Sequence, residues 1–173
     1  PAYIINQVCG SGLRAIISGF QSIKLGESKK IISAGQENMS LAPHSFYYRD
    51  LDKISKDKFV DTMINDGLID AFNDYHMGVT AENVAQKFSI TRKEQDDFAF
   101  NSQKKTQLAI NDSKFDDELV FINQNGITLK KDEHPRIDIK PIDLERLKTV
   151  FKNNGTVTPG NSSGINDGAA ALL

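Results

Sequence analysis

The 173-residue chain is 39% hydrophobic and 25% charged, with a net charge of -2 and a pI near 5.9. Its lysines lie among acids rather than in one stripe, so nothing electrostatic argues for nucleic acid. A single cysteine excludes an internal disulfide framework and fits a reducing compartment, and no apolar stretch nears the ~18 residues of a membrane span. The expectation is a cytoplasmic protein that binds neither nucleic acid nor membrane, of a size that suits one domain or part of a larger one.

The chain opens with a short apolar run, Ala2-Tyr3-Ile4-Ile5, that reads as a strand. Leu13, Ile16, Ile17, Phe20 and Ile23 then repeat at the three-and-four spacing of one helix face. A helix is therefore expected from about Gly10 to Leu25, ended by a left-handed Gly26. Cys9 sits at the junction, between Val8 and Gly10-Ser11-Gly12. Amides in a first helical turn lack intrahelical acceptors and, with the helix dipole, favour negative charge, so a thiol there is set up to act as a thiolate. The competing reading is a small buried hydrophobe, the commoner fate of a lone cysteine. Lys29 to Gly35 reads as a strand returning to the sheet, which makes a βαβ unit with a parallel pair, and Gln36 to Ser40 as a polar exit loop.

From Leu41 to Asn154 the periodicity changes and the chain reads as an insertion of short helices and a polar hairpin. Asp61 to Phe72 has helical spacing interrupted by Gly67. Thr80 is expected to cap one helix, and Thr91-Arg92-Lys93-Glu94 is a capping box for the longest, which should reach about Asn111. The buried face of that helix would be Gln95, Phe98, Ala99, Ser102, Thr106, Ala109 and Ile110, a mixed stripe suited to a polar surface. Leu119–Ile122 and Ile127–Leu129 flank Asn123-Gln124-Asn125-Gly126, where Asn-Gly is a hairpin signal. Residues 155–168 are rich in glycine, serine and asparagine and lead into Ala169-Ala170-Ala171-Leu172-Leu173, which reads as a buried strand. With no initiator methionine before Pro1 and an apolar end, the chain reads as a piece of a longer protein.

Five stretches in order resemble the thiolases, in particular the biosynthetic acetyl-CoA acetyltransferases: Asn6 to Arg14, Asn38 to His44, Asp61 to Leu68, Tyr75 to Asn83, and Gly155 to Ala170. The resemblance covers essentially the whole chain and makes it look like an internal fragment of the N-terminal half. It implies an α/β fold: a thiolase-like N-terminal domain, with a mixed sheet covered by helices, interrupted by a helix-rich loop domain. Residues 1–40 would be core, 41–153 the loop domain that holds coenzyme A (CoA), and 154–173 the return to the core. His44 to Lys58 is similar to the segment that forms a tetramerisation loop.

By the same resemblance Cys9 is the acyl-accepting nucleophile. His76 and Met77 sit where the family contacts the pantetheine arm of CoA, and Ser163 where a serine hydrogen-bonds it. Lys148 falls where many members place an arginine beside the adenine, and Pro159 where an alanine is common. His44 and His134 keep a structural reading. The implied reaction joins two acetyl-CoA into acetoacetyl-CoA and CoA, or runs in reverse, within fatty acid metabolism. CoA thioesters enter as substrates; no metal, redox group or tightly bound cofactor is implied, and the whole protein is expected to be a homo-oligomer, dimer or tetramer. The family also uses a histidine base and a second cysteine. There is no second cysteine here, and none of the three histidines matches the base motif. The rival readings are a related ketoacyl synthase and a non-catalytic remnant or assembly module of the same fold.

Overall fold

Residues 1–46 and 59–173 are described in the computed structural model. They fall into two units, Pro1–Ile69 with Ile165–Leu173, and Asp70–Gly164. In the first unit the periodic apolar run forms α1 (Ser11–Lys24), entered through a 3-10 turn at Val8–Gly10. Gly26 takes φ 76° just past the helix, in the left-handed region that a Cβ disfavours. α1 lies on β1 (Ser33–Asn38), where Ser33 Oγ donates to Ala15 O at 3.2 Å. β1 pairs antiparallel with β6 (Asp167–Leu172), from Ser33 opposite Leu172 to Asn38 opposite Asp167. Asp167 also accepts from the Ser40 amide at 2.9 Å, which holds its carboxyl below the ordinary range.

This sheet corrects four expectations. Ala2 to Ile5 forms no strand, and Ile4 is 97% exposed. The βαβ unit is consequently absent: β1 finds its ladder partner in β6, far along the chain and antiparallel, a non-local choice that local periodicity does not encode. β1 also starts at Ser33 rather than Lys29 and runs through Gln36–Asn38, the expected exit loop. β6 is a strand as expected, but it is exposed along its whole length rather than buried.

The rest of this unit pairs β2 (His44–Ser45) antiparallel with β3 (Val60–Asp61). Residues 47–58 of the tetramerisation-type segment lie outside the described residues. The helix expected over Asp61 to Phe72 contracts to a π-helical turn at Met63–Leu68, begun where Asp61 Oδ1 accepts from the Met63 amide at 2.9 Å. Ile69 is already extended.

The second unit contains α2 (Met77–Lys87), α3 (Arg92–Asn111), the hairpin of β4 (Ile122–Gln124) and β5 (Ile127–Leu129), and α4 (Pro141–Glu145). The capping box at Thr91 and Glu94 is formed, and α3 ends where the spacing predicts. Asn125 and Gly126, at φ 53° and 79°, close the hairpin. Three expectations fail. Leu119 to Phe121 form no strand, and the first strand of the hairpin begins only at Ile122 and takes in Asn123 and Gln124. Thr80 does not cap α2; the cap is His76, and the Thr80 hydroxyl is buried inside the helix without a partner among the described residues. On α3 Phe98 is 79% exposed, while Asp96 is buried. The polar character expected of that face is nonetheless real, because Gln95 Nε2 donates to Thr156 Oγ1 at 2.9 Å.

Helices and strands mix as the α/β class requires, and every strand pair among the described residues is antiparallel. The buried apolar side chains described, Ala85, Leu144 and Val157, all lie in the second unit, beside buried Glu82, Asp96 and Thr158.

Candidate functional site

Cys9 is an exposed free thiol in the 3-10 turn that runs straight into α1, so it is not the buried hydrophobe of the competing reading. The turn is built from its immediate neighbours. Asn6 Oδ1 accepts from the Val8 amide at 2.9 Å; Ser11 Oγ accepts from the Gln7 amide at 2.8 Å and donates to Val8 O at 2.7 Å. These bonds hold Val8 at φ 50°, a left-handed conformation that is uncommon for a β-branched residue and costs about 1–3 kcal/mol. The Cys9 backbone is thereby placed at the start of a helix whose N-cap, Gly10, offers no side chain to its amides. Such an opening stabilises a nearby anion.

In the second unit, His76 and Met77 open α2. His76 Nδ1 accepts from the Gly78 amide at 3.0 Å, so its proton resides on Nε2, which leaves that N–H available as a donor. The imidazole stacks on Phe151 with centroids 4.8 Å apart and planes 21° from parallel. Gly78 makes this possible, since a Cβ there would collide with the Phe151 ring. Met77 is 38% exposed beside it in sequence.

The loop after Phe151 is fastened to the two long helices by buried carboxylates. Glu82 accepts from the Thr156 and Val157 amides at 2.8 Å and from the Thr156 hydroxyl at 2.9 Å. Burial opposes its charge, but these donors outweigh burial and hold the carboxyl below its ordinary range. Gly155 leaves room for it, because a Cβ there would meet the Glu82 carboxylate. From α3, Asp96 accepts from Arg92 Nε at 2.7 Å and from Asn161 Nδ2 at 2.9 Å. Arg92 Nη2 donates onward to Leu144 O at 2.7 Å and Leu147 O at 3.1 Å.

Lys148 directly follows Leu147 and is exposed; Ser163 lies two residues beyond Asn161 and is exposed. Ser163 lines a groove of about 320 Å³ with Phe98, Ser102, Thr106, His134 and Pro135. The structure thus gathers His76, Met77, Lys148 and Ser163 within one unit, on segments tied to α2 and α3, without a direct hydrogen bond among the four. Cys9 belongs to the other unit. Motif reading gives no site role to Glu82, Arg92, Asp96, Asn161 or Phe151, although Glu82 and Asn161 lie in the resembling stretches and Arg92 in the capping box. The signals available were the four-residue spacing of Arg92 and Asp96 and the placing of Glu82 between Ala81 and Ala85. Among the described residues no cluster of His, Cys, Asp and Glu could hold a metal ion, and no helix is long and apolar enough to cross a membrane.

Comparison with known proteins bears on this arrangement as a whole. Residues 1–173 match the family described as Thiolase, N-terminal domain. The chain is 49% identical to an acetyl-CoA acetyltransferase of Paracoccus denitrificans, over 99% of its own length and 45% of the relative's. It is 48% identical to a probable acetyl-CoA acetyltransferase of Escherichia coli, with the same shares covered. The fold is similar to that of the Bacillus anthracis acetyl-CoA acetyltransferase, with a TM-score of 0.89 at 37% identity over 98% of this chain and 44% of the other. It is also similar to human mitochondrial 3-ketoacyl-CoA thiolase in complex with CoA, with a TM-score of 0.90 at 36% identity over 99% of this chain and 44% of the other. The chain thus spans less than half the length of the relatives it matches. On sequence and fold together, it belongs to the thiolase family, and all of its residues align with the N-terminal domain.

Proposed function

We propose that the protein is an acyltransferase acting on CoA thioesters, condensing two acetyl-CoA into acetoacetyl-CoA and CoA or running the reverse thiolysis. The observation that carries this reading is the exposed Cys9, held at the opening of α1 in a chain of this family. The Cys9 thiolate attacks the carbonyl carbon of acetyl-CoA; a sulfur–carbon bond forms, the bond to CoA breaks, and CoA departs with the proton that the Cys9 thiol gave up on ionising. A second acetyl-CoA, deprotonated at its methyl carbon, attacks the acetyl-cysteine carbonyl. A carbon–carbon bond forms and the Cys9 sulfur leaves. The developing oxyanion gains from donors aimed at it in advance. His76, Met77 and Ser163 hold the pantetheine arm in this reading, with His76 Nε2–H as a donor, and Lys148 meets the nucleotide end as a point charge. Deprotonation of the attacking carbon falls to residues outside these 173, so the chain alone is expected to be inactive.

We further infer that the protein is cytoplasmic and homo-oligomeric, which light scattering of the full-length gene product checks. The test of the activity is thiolysis: the full-length product should consume acetoacetyl-CoA in the presence of CoA and yield acetyl-CoA. Absence of turnover with intact CoA binding would leave the non-catalytic module.

A further inference from the structure

We propose that Asp96 is a positioning residue for CoA, setting from α3 both the segment that carries Lys148 and the loop that carries Ser163. The inference rests on the CoA reading above. Asp96 is 6% exposed, and each of its oxygens has its own donor, Arg92 Nε on Oδ2 and Asn161 Nδ2 on Oδ1. The two donors approach from different directions onto different oxygens, and an amide would present an NH2 group to one of them. Each partner extends to a different binding segment. Arg92 grips the carbonyls of Leu144 and Leu147, the latter adjacent to Lys148. Asn161 accepts from the Thr158 amide at 2.8 Å and donates to Thr156 O at 3.1 Å, which shapes the loop that ends at Ser163.

An ion pair of this kind, with Asp96 buried and Arg92 half-buried, adds little net stability over apolar packing of the same volume, because desolvation offsets the attraction. What apolar packing would not supply is direction. The Arg92 fork and the Asn161 amide fix where two backbone segments lie, and both segments present a residue assigned to CoA. A contact held in place by another residue loses its value when that residue is changed, so the proposal is read as non-additivity.

The experiment is calorimetric titration of CoA into the full-length protein and its variants. Ser163→Ala and Lys148→Ala should each weaken binding by roughly three-fold, as for one hydrogen bond or one solvated charge. Asp96→Asn should weaken it by about tenfold, and in that background the other two substitutions should change little further. If each still weakens binding by its full factor, Asp96 does not position them and the proposal is overturned. Arg92→Lys provides a second route should Asp96→Asn fail to fold. It removes the fork but keeps a cation near Asp96, and should erase the effect of Lys148→Ala while leaving that of Ser163→Ala. Full effects of both in Arg92→Lys also overturn the proposal. If Ser163→Ala and Lys148→Ala alone leave CoA affinity unchanged, it is the CoA reading that falls, a result distinct from additivity.

Discussion

The two units hold their candidate residues by opposite means. In the first, Cys9 is set by hydrogen bonds that reach no further than four residues, from Asn6 and Ser11, and the apolar face of α1 stays largely exposed. In the second, the segments of Lys148 and Ser163 are set by bonds from Arg92, Asp96 and Glu82 that span 52 to 75 residues of chain and end on buried groups. A nucleophile can be placed by a short motif because its geometry is a property of one turn. A surface for a long ligand draws on distant segments and therefore needs long-range polar ties.

Substitutions can break that contrast, and the largest effect is expected at the proposed nucleophile. Cys9→Ser should abolish acyl transfer in the full-length protein, a loss of several orders of magnitude, while CoA affinity stays within about two-fold because the proposed arm contacts are untouched. Equal loss of binding and turnover would mean that the two functions are not divided as proposed. Next is Glu82→Ala, which strands the half-buried amide of Thr156 and the buried amide of Val157 and should cost about 3 kcal/mol of stability, measured by urea denaturation. Iodoacetamide labelling of Cys9 under native conditions should be unaffected by it.

Acidification sharpens the same point. The folded-state value of Glu82 lies below its ordinary 4.5, so its contribution is complete above that value and declines as pH falls through it toward the lower folded-state value. Stability of the wild type should therefore fall below about pH 4.5 more steeply than that of Glu82→Gln. Parallel pH profiles would show that the carboxylate charge contributes nothing. A smaller effect, about 1 kcal/mol, is expected for Thr91→Ala, which removes the α3 cap without touching a buried carboxylate. The smallest is the salt dependence of Lys148→Ala. Its loss of CoA affinity should shrink between low salt and 0.5 M salt, where the screening length is only about 4 Å.

What could be read from the sequence follows the same division. α1 with Gly26, the Thr91 capping box, the end of α3 at Asn111 and the Asn125-Gly126 hairpin are each specified within a few residues, and each is found. The pairing of β1 with β6 is not local, and alternating or apolar runs do not name their partners; hence the expected parallel unit with Ala2 to Ile5 is absent. The α3 face differs from its expected one for a related reason. Hydrophobic spacing selected Phe98, which is exposed, and passed over Asp96, whose burial depends on Arg92 and on Asn161 from a remote loop. Likewise His76 was legible as a residue of interest from its motif, but its role as the α2 cap, stacked on Phe151, depends on Gly78 and on a segment far along the chain.

The central claim is that Cys9 accepts the acyl group, and acid-quench mass spectrometry tests it most directly. Full-length protein mixed with acetyl-CoA, stopped in acid and digested should yield the peptide containing Cys9 heavier by one acetyl group. Hydroxylamine should remove the label, as expected for a thioester, and Cys9→Ser should not acquire it. Acetylation confined to another residue, or no acetylated peptide while CoA binds and acetoacetyl-CoA is cleaved, would contradict the account.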